Sequence, residues 1–344
     1  RGITLTPEQC AAAARSDPLG IEFLMPFAPN TEHWPSPAWL PVNVALAPEP
    51  AVDWAWFGLP PPLLDRAALR RAMERPFNRV WRKRMRLRDF VAGAEDSAAP
   101  AGFLFHMSRC GSTLAARMSA CIADVLTLSE WPAMSETVAL AHRLGPEQGT
   151  VLLRAMLAAF CRRGAAHRLI VRFDAHNTLA LPMVAHASAQ TPVAFLYRDP
   201  VEVLVSYARD SGIEAAFAGN FAAMWNAGDL RGLGKDDLTA RGLARICESA
   251  ASHIGTKGGL AVNYREIPDA VTDVILPRFG ITADDAAREA MQRVARMNAK
   301  VANAAFEGDG ARKQRDADDA LRARADAELG TVYRALEALA ARAP

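Results

Sequence analysis

The stretch Phe103-Leu-Phe-His-Met-Ser-Arg-Cys-Gly-Ser-Thr-Leu-Ala-Ala-Arg-Met118 decides the fold. It opens on a short apolar run, which reads as a buried strand. It closes on a helical segment, and Ser108-Arg-Cys-Gly-Ser-Thr113 turns between the two. Gly111 lets the backbone approach an anion, while Ser112 and Thr113 can cap the helix and hydrogen-bond an oxyanion. The N–H groups of the first helical turn point at the same place, with the helix dipole behind them. Arg109 adds a fixed cation, and Ser108 and Cys110 complete the turn. The pattern is a P-loop-like anion cradle. It is not the nucleoside triphosphatase form, because the G-x-x-x-x-G-K-[ST] spacing is absent and no lysine precedes Ser112.

Outward from this stretch, four more apolar runs follow: Val125–Ser129, Arg168–Phe173, Pro192–Tyr197 and Leu260–Tyr264. Enough chain separates each from the next for a helical crossover. This predicts an α/β fold, three layers α/β/α around a central parallel sheet of about five strands. The chain after Thr282 is rich in Ala, Arg, Asp and Glu and reads as a mostly helical tail. Asp96-Ser-Ala-Ala-Pro100 is a small polar linker, so the α/β domain is expected over 99–344. Residues 1–98 differ. Twelve of the 22 prolines lie at or before Pro62, and five of the seven tryptophans (Trp34, Trp39, Trp54, Trp56, Trp81) at or before residue 81. Proline removes backbone donors, so this part is expected as an irregular and helical extension packed on the main domain through its tryptophans. Residues 63–90 read as helical, with the arginine-rich run 79–88 either a solvated face or the wall of an anion-binding cleft.

Composition sets bounds. The 344 residues suit one large domain or two ordinary ones. With 40 Lys+Arg against 38 Asp+Glu the net charge is +2, which argues against a non-specific nucleic-acid binder. Only Lys83, Lys235, Lys257, Lys300 and Lys313 are lysines, so nearly all cations are arginines, the planar forks that suit phosphate and sulfate. Cys10, Cys110, Cys121, Cys161 and Cys247 form no CxxC pair, so neither a disulfide scaffold nor a structural zinc site is expected. No apolar leader or membrane-length run is visible, and the expected compartment is a reducing cytoplasm.

A second motif joins the first. Phe195-Leu-Tyr-Arg-Asp-Pro-Val-Glu-Val-Leu-Val-Ser-Tyr207 reads as a strand, a turn at Asp199-Pro200 and a helix. Arg198 stands at the carboxyl end of its strand, where α/β sheets bind ligands. Ser206 follows two turns into the helix. Together the two segments resemble the sulfotransferase superfamily, which uses 3′-phosphoadenosine-5′-phosphosulfate (PAPS). Ser108–Thr113 is similar to that family's 5′-phosphosulfate loop in its bacterial, arginine-bearing form. Arg198 and Ser206 match the arginine and serine that hold the 3′-phosphate. Leu260-Ala-Val-Asn-Tyr-Arg-Glu266 resembles a late strand of bacterial members, with Arg265-Glu266 in place of Glu-Asp. The resemblance covers roughly residues 102–335. It implies a P-loop-type fold, PAPS as donor, 3′-phosphoadenosine-5′-phosphate (PAP) as product, no metal, and a small-molecule, glycan or lipid acceptor.

Sulfuryl transfer needs the acceptor deprotonated as it attacks and positive charge over the oxygens on both sides of the moving group. Arg109 is placed to stabilise the leaving oxygen. Glu130, after the second strand, is the expected base, since bacterial members resembling this chain often carry a glutamate there. Trp131-Pro132 behind it is expected to desolvate the carboxyl and raise its pKa. His106 is the second candidate. Arg172, Asp174 and His176 end the third strand and are expected on the donor sulfate or the acceptor. Arg312 and Lys313, after Gly308 and Gly310, match the basic C-terminal segment that closes such donor sites. Cys110 has no evident base and reads as a small residue of the turn. Two alternatives stay open: an ATP- or GTP-dependent kinase of similar topology, for which Leu169–Asp174 would end in a metal-binding aspartate, and a non-catalytic nucleotide-binding module.

Overall fold

The structure is a computed structural model and describes residues 33–46, 49–75, 77–78, 82–94, 98–162, 168–209, 233–297 and 309–342. Cys10, Trp81, the linker residues Asp96 and Ser97, and Phe306-Glu-Gly308 lie outside the described residues.

Six strands form one all-parallel sheet in the order β3-β6-β7-β5-β8-β9. They are β3 (Leu63–Leu64), β5 (Gly102–His106), β6 (Val125–Ser129), β7 (Arg168–Arg172), β8 (Val193–Tyr197) and β9 (Leu260–Asn263). The five apolar runs read from the sequence are β5 to β9. β5, β6 and β8 are buried along their whole length, as a sheet covered on both faces requires. The sixth, β3, pairs Leu63 with Thr127 and Leu64 with Leu128. Helices flank the sheet. α3 (Ser112–Ser119) packs on β5, β6 and β7, α5 (Pro146–Cys161) on β7, and α8 (Lys235–Lys257) on β8 and β9. Gly102 is pressed against Phe279, whose ring would lie 2.2 Å from an added Cβ. Phe105 stacks on Phe173 at 4.5 Å in the core behind the cradle.

The N-terminal part departs from the irregular and helical expectation. β1 (Trp39–Ala45), β2 (Ala51–Trp56) and β4 (Lys83–Arg86) form an antiparallel sheet in the order β1-β2-β4. Between them lie β3 and α1 (Arg66–Glu74), and α2 (Leu87–Ala92) follows. The arginine-rich run is therefore partly a strand. Met85 is buried, and the Arg84 guanidinium grips the buried Asp53 at 2.6 and 2.9 Å. Strand pairing and this charge pair override helix propensity. Pro41 sits in the edge strand β1 beside a register shift, a position that tolerates a missing N–H.

Two hydrogen bonds tie this sheet to α4 (Pro132–Leu144) and its cap. Trp131 Nε1–H donates to Pro41 O at 2.7 Å, and Val44 N–H donates to Glu136 Oε2 at 2.6 Å. The Arg162 guanidinium lies 4.9 Å from the Trp54 ring and 5.4 Å from that of Trp34, and donates to Trp39 O at 2.8 Å. Further helices are α6 (Leu181–Ala187), α7 (Pro200–Ala208), α9 (Asp285–Ala295), α10 (Gly310–Asp316), α11 (Asp319–Ala325) and α12 (Thr331–Ala340). Among the described residues no helix is long and apolar enough to cross a membrane.

Candidate functional site

The cradle leaves β5 at its carboxyl end, the central position of the sheet, between β7 and β8. Ser108, Arg109 and Gly111 adopt φ of 77°, 53° and 82°. Left-handed backbone at two non-glycine residues stores of order 1–3 kcal/mol each, so the loop is held by its surroundings. Gly111 has no substitute, because an added Cβ would also stand 2.9 Å from the Tyr264 ring. α3 begins at once, with Gly111 as its cap residue and no side-chain cap bond. The Ser112 and Thr113 N–H groups precede any helical carbonyl they could bond, while Leu114 N–H donates to Gly111 O at 2.9 Å. Cys110 faces inward, where its thiol donates to Leu196 O at 3.2 Å and burial pushes it up to about 11. It is a packing residue whose backbone belongs to the loop.

Arg172 ends β7 beside the cradle and is buried. One guanidinium nitrogen donates to Ser129 Oγ at 2.8 Å. Another donates to Ser112 Oγ at 2.9 Å and to Glu130 Oε1 at 2.6 Å. Its Nε is buried with no hydrogen-bond partner among the described residues. Glu130 follows β6 with φ 47°, and its N–H donates to Arg172 O at 2.9 Å. The expected rise of its pKa is not found. Burial does raise it, but the His106 imidazole and the Arg172 charge outweigh burial and hold the carboxyl down to about 2. Trp131 is buried as expected, yet it points to Pro41 rather than isolating the carboxylate from its cation.

His106 is buried, and its Nδ1 accepts the Ser108 N–H at 3.0 Å. The ring proton therefore sits on Nε2, which faces Glu130 Oε1 at 3.5 Å. Burial, then the Arg172 charge, pull the imidazole below its ordinary pKa. His106 thus turns its Nε2 proton toward Glu130 without a hydrogen bond among the described residues, and its Nδ1 lone pair is already taken by the Ser108 N–H. Asp174 caps the short helix Ala175–Ala180 in a capping box with Asn177 and lies 3.6 Å from Arg66. His176 Nε2 and Ser135 Oγ are 3.2 Å apart.

On the other side of the cradle, Arg198 follows β8 with its side chain 5% exposed. Its guanidinium lies 3.9 Å from the Tyr264 ring centroid, a cation–π contact. It pairs with Glu202 and Asp309, at 2.6 Å each, and reaches Arg109 O at 3.5 Å. Burial works against the charge, but the two carboxylates hold it above its ordinary pKa. Lys313 on α10 pairs with Asp309 at 2.8 Å. Arg109 reaches over the Tyr207 ring at 5.4 Å.

The structure thus brings Ser108–Thr113, His106, Glu130, Arg172, Arg198 and Lys313 to one end of the sheet. Asp174 and His176 lie next to Glu130 on the β7 side. Thr113 and Ser206 make no side-chain hydrogen bond among the described residues, and Arg312 is exposed on α10 beside buried Lys313. Sequence reasoning missed Tyr264, Glu202 and Asp309. Glu202 was legible as an (i, i+4) partner of Arg198. Asp309 lies 111 residues from Arg198 and left no local signal.

No protein family and no curated protein matches the chain. Solved structures do. The chain is similar to a sulfotransferase from Alicyclobacillus acidocaldarius, at 14% identity over 71% of this chain and 97% of that one, with a TM-score of 0.43. It is similar to the sulfotransferase domain from the curacin biosynthetic pathway, at 12% identity over 72% and 100% of the two chains, TM-score 0.41. It is also similar to the sulfotransferase domain of the Synechococcus PCC 7002 olefin synthase, at 15% identity over 73% and 98%, TM-score 0.38.

Proposed function

We propose that this protein is a PAPS-dependent sulfotransferase that moves a sulfuryl group onto a hydroxyl or amine acceptor. One observation carries the reading: the anion cradle, Arg172 and Arg198 meet at the carboxyl ends of the adjacent strands β5, β7 and β8. That is where an open α/β sheet binds ligands. The residues suit the donor. The Gly111 backbone leaves room that a Cβ would fill, the buried Arg172 Nε has no acceptor among the described residues, and Arg198 flanks the loop that carries Arg109.

When bound, PAPS supplies the activated sulfuryl group. The first-turn N–H groups of α3 with Ser112 and Thr113 hold the 5′-phosphate, and Ser108 and Cys110 shape the loop around it. Arg198 and Ser206, closed over by Lys313 and Arg312, hold the 3′-phosphate. Arg109 and Arg172 face the oxygens that gain charge. Glu130 takes the acceptor proton. Against burial, His106 and then Arg172 hold Glu130 acidic; an anion beside Arg172 shares the second of these, so donor binding shifts the carboxyl upward, in the direction of a better base. Arg172 keeps Glu130 oriented, and His106 places its Nε2 proton beside it. Asp174 and His176 contact the acceptor, and the N-terminal part, 1–98, which lends β3 to the main sheet, shapes the acceptor side of the catalytic domain, 99–344. No metal is needed for these steps.

Isothermal titration with PAP tests the donor half. Binding at tens of micromolar or tighter is expected, with 5′-AMP weaker and Arg198→Ala losing the preference for the 3′-phosphate. A protein that ignores PAP at hundreds of micromolar overturns the reading, as does magnesium-dependent nucleotide binding with no preference for a 3′-phosphate, which selects the kinase. Radiolabelled PAPS with phenol, glycan and lipid acceptor panels tests the transfer half. PAP binding with no sulfated product from any panel selects the non-catalytic module.

A further inference from the structure

The cations assigned to the donor's 3′-phosphate are already answered. Arg198 and Lys313 carry two positive charges, and Glu202 and Asp309 carry two negative ones. The side chains of Arg198, Lys313, Glu202 and Asp309 are 5%, 7%, 15% and 28% exposed. All three bonds in the chain Glu202–Arg198–Asp309–Lys313 are short, at 2.6, 2.6 and 2.8 Å. The two carboxylates differ in origin. Glu202 stands on α7, four residues after Arg198, and is its local partner. Asp309 comes from the other end of the chain, one residue ahead of α10. Gly310 lies against α7, where an added Cβ would stand 3.0 Å from Glu202 Oε1.

A guanidinium offers five N–H donors in a rigid fork, and the weakest contact of Arg198 is that of Nη1, 3.5 Å from Arg109 O. Glu202 uses the Nε side, and Asp309 uses Nη2. A phosphate that reaches Arg198 and Lys313 together meets the Asp309 oxygens, which bridge the same two cations. We propose that Asp309 is an internal anion that competes with the donor's 3′-phosphate for Arg198 and Lys313, so that it sets donor affinity and favours release of the spent nucleotide. This rests on the donor reading above. Removing the charge leaves the two cations facing one carboxylate, and the surplus positive charge falls where the phosphate binds.

The test compares wild type, Asp309→Asn and Asp309→Ala by isothermal titration with PAP and with 5′-AMP. Both variants are expected to bind PAP about tenfold or more tightly, the effect of one charge-assisted pair no longer broken on entry. Affinity for 5′-AMP, which has no 3′-phosphate, is expected to stay within about twofold. Unchanged or weaker PAP binding in folded variants overturns the proposal and makes Asp309 a scaffold for Lys313. An equal gain for PAP and 5′-AMP also overturns it, because the competition would not be at the 3′ position. If wild type binds PAP and the variants do not gain, this proposal fails while the donor reading stands. If none of the proteins binds PAP, the donor reading fails and takes the proposal with it. Melting curves monitored by circular dichroism establish that the variants are folded, and Asp309→Asn keeps the side-chain volume.

Discussion

Glu136 makes stability depend on pH in a direction opposite to an ordinary carboxylate. It lies on α4 and accepts the Val44 N–H of β1 at 2.6 Å. Burial pushes its carboxyl up to about 7; the Val44 N–H and Arg66 oppose the rise and the buried Asp53 adds to it. In the unfolded chain the group returns to its ordinary value of 4.5. Between those values the folded protein keeps a proton that the unfolded chain has released. Stability therefore falls as pH rises through the window from 4.5 to about 7, and the loss is complete above it.

At about 1.4 kcal/mol per pH unit the whole window amounts to roughly 3 kcal/mol, of which about 2–3 kcal/mol falls between pH 5 and pH 8. Glu136→Gln keeps an oxygen for the Val44 N–H and cannot ionise. The variant is expected to match wild type to within about 1 kcal/mol at pH 5 and to exceed it by about 2–3 kcal/mol at pH 8. Urea unfolding followed by tryptophan fluorescence at the two pH values gives the double difference, in which every other titrating group cancels. Wild-type and variant stabilities that run parallel with pH refute the reasoning. So does a variant weaker by the same amount at both, which would mean that the carboxylate is charged and paired in the fold.

Gly111→Ala is expected to cost about 1–3 kcal/mol of stability and most of the PAP affinity, because φ 82° and the Tyr264 ring 2.9 Å from the new Cβ both oppose it; thermal melts and titration check this, and a variant with wild-type values of both refutes it. Glu130→Gln is expected to keep PAP binding and to lower turnover by about 10²–10⁴-fold, and sulfated product at the wild-type rate removes Glu130 as the base. A carboxyl held down to about 2 is lowered, so its charge is present above 4.5 and fades only as pH falls toward 2; free enzyme kcat/KM should accordingly show no acid limb from this group between about pH 5 and 8.

The sheet was legible because parallel strands covered on both faces need continuous apolar runs, and Val193–Tyr197 is such a run, buried throughout. β3 escaped because two leucines carry no period; only their pairing with β6 makes them a strand. β4 escaped for a stronger reason. Lys83-Arg-Met-Arg86 offers a single apolar residue, and its strand conformation depends on β2 and on Asp53, 31 residues from Arg84. β1 and β2 are buried along most of their length, so they carry no alternation to read, and the proline-rich surroundings obscured their apolar runs; the buried tryptophans announced that something packs there without saying what.

The site divides along the same line. The cradle, its glycine and the capped turn at Asp199 are local grammar, written within a few residues of one another. The state of Glu130 is not local. Strand register sets Ser129 opposite Arg172, and that pairing delivers a buried guanidinium to the carboxylate 42 residues away. A sequence shows a glutamate backed by tryptophan and proline and suggests a raised pKa; the register inverts the sign. The same holds for the donor side. Arg198 and Lys313 read as bare cations and suggest an electropositive pocket, but Glu202 and Asp309 cancel them in the fold. An anion entering such a site exchanges with an internal carboxylate instead of meeting surplus charge. Its affinity then reflects the difference between two anions on the same arginine, and counting cations along the chain overestimates it.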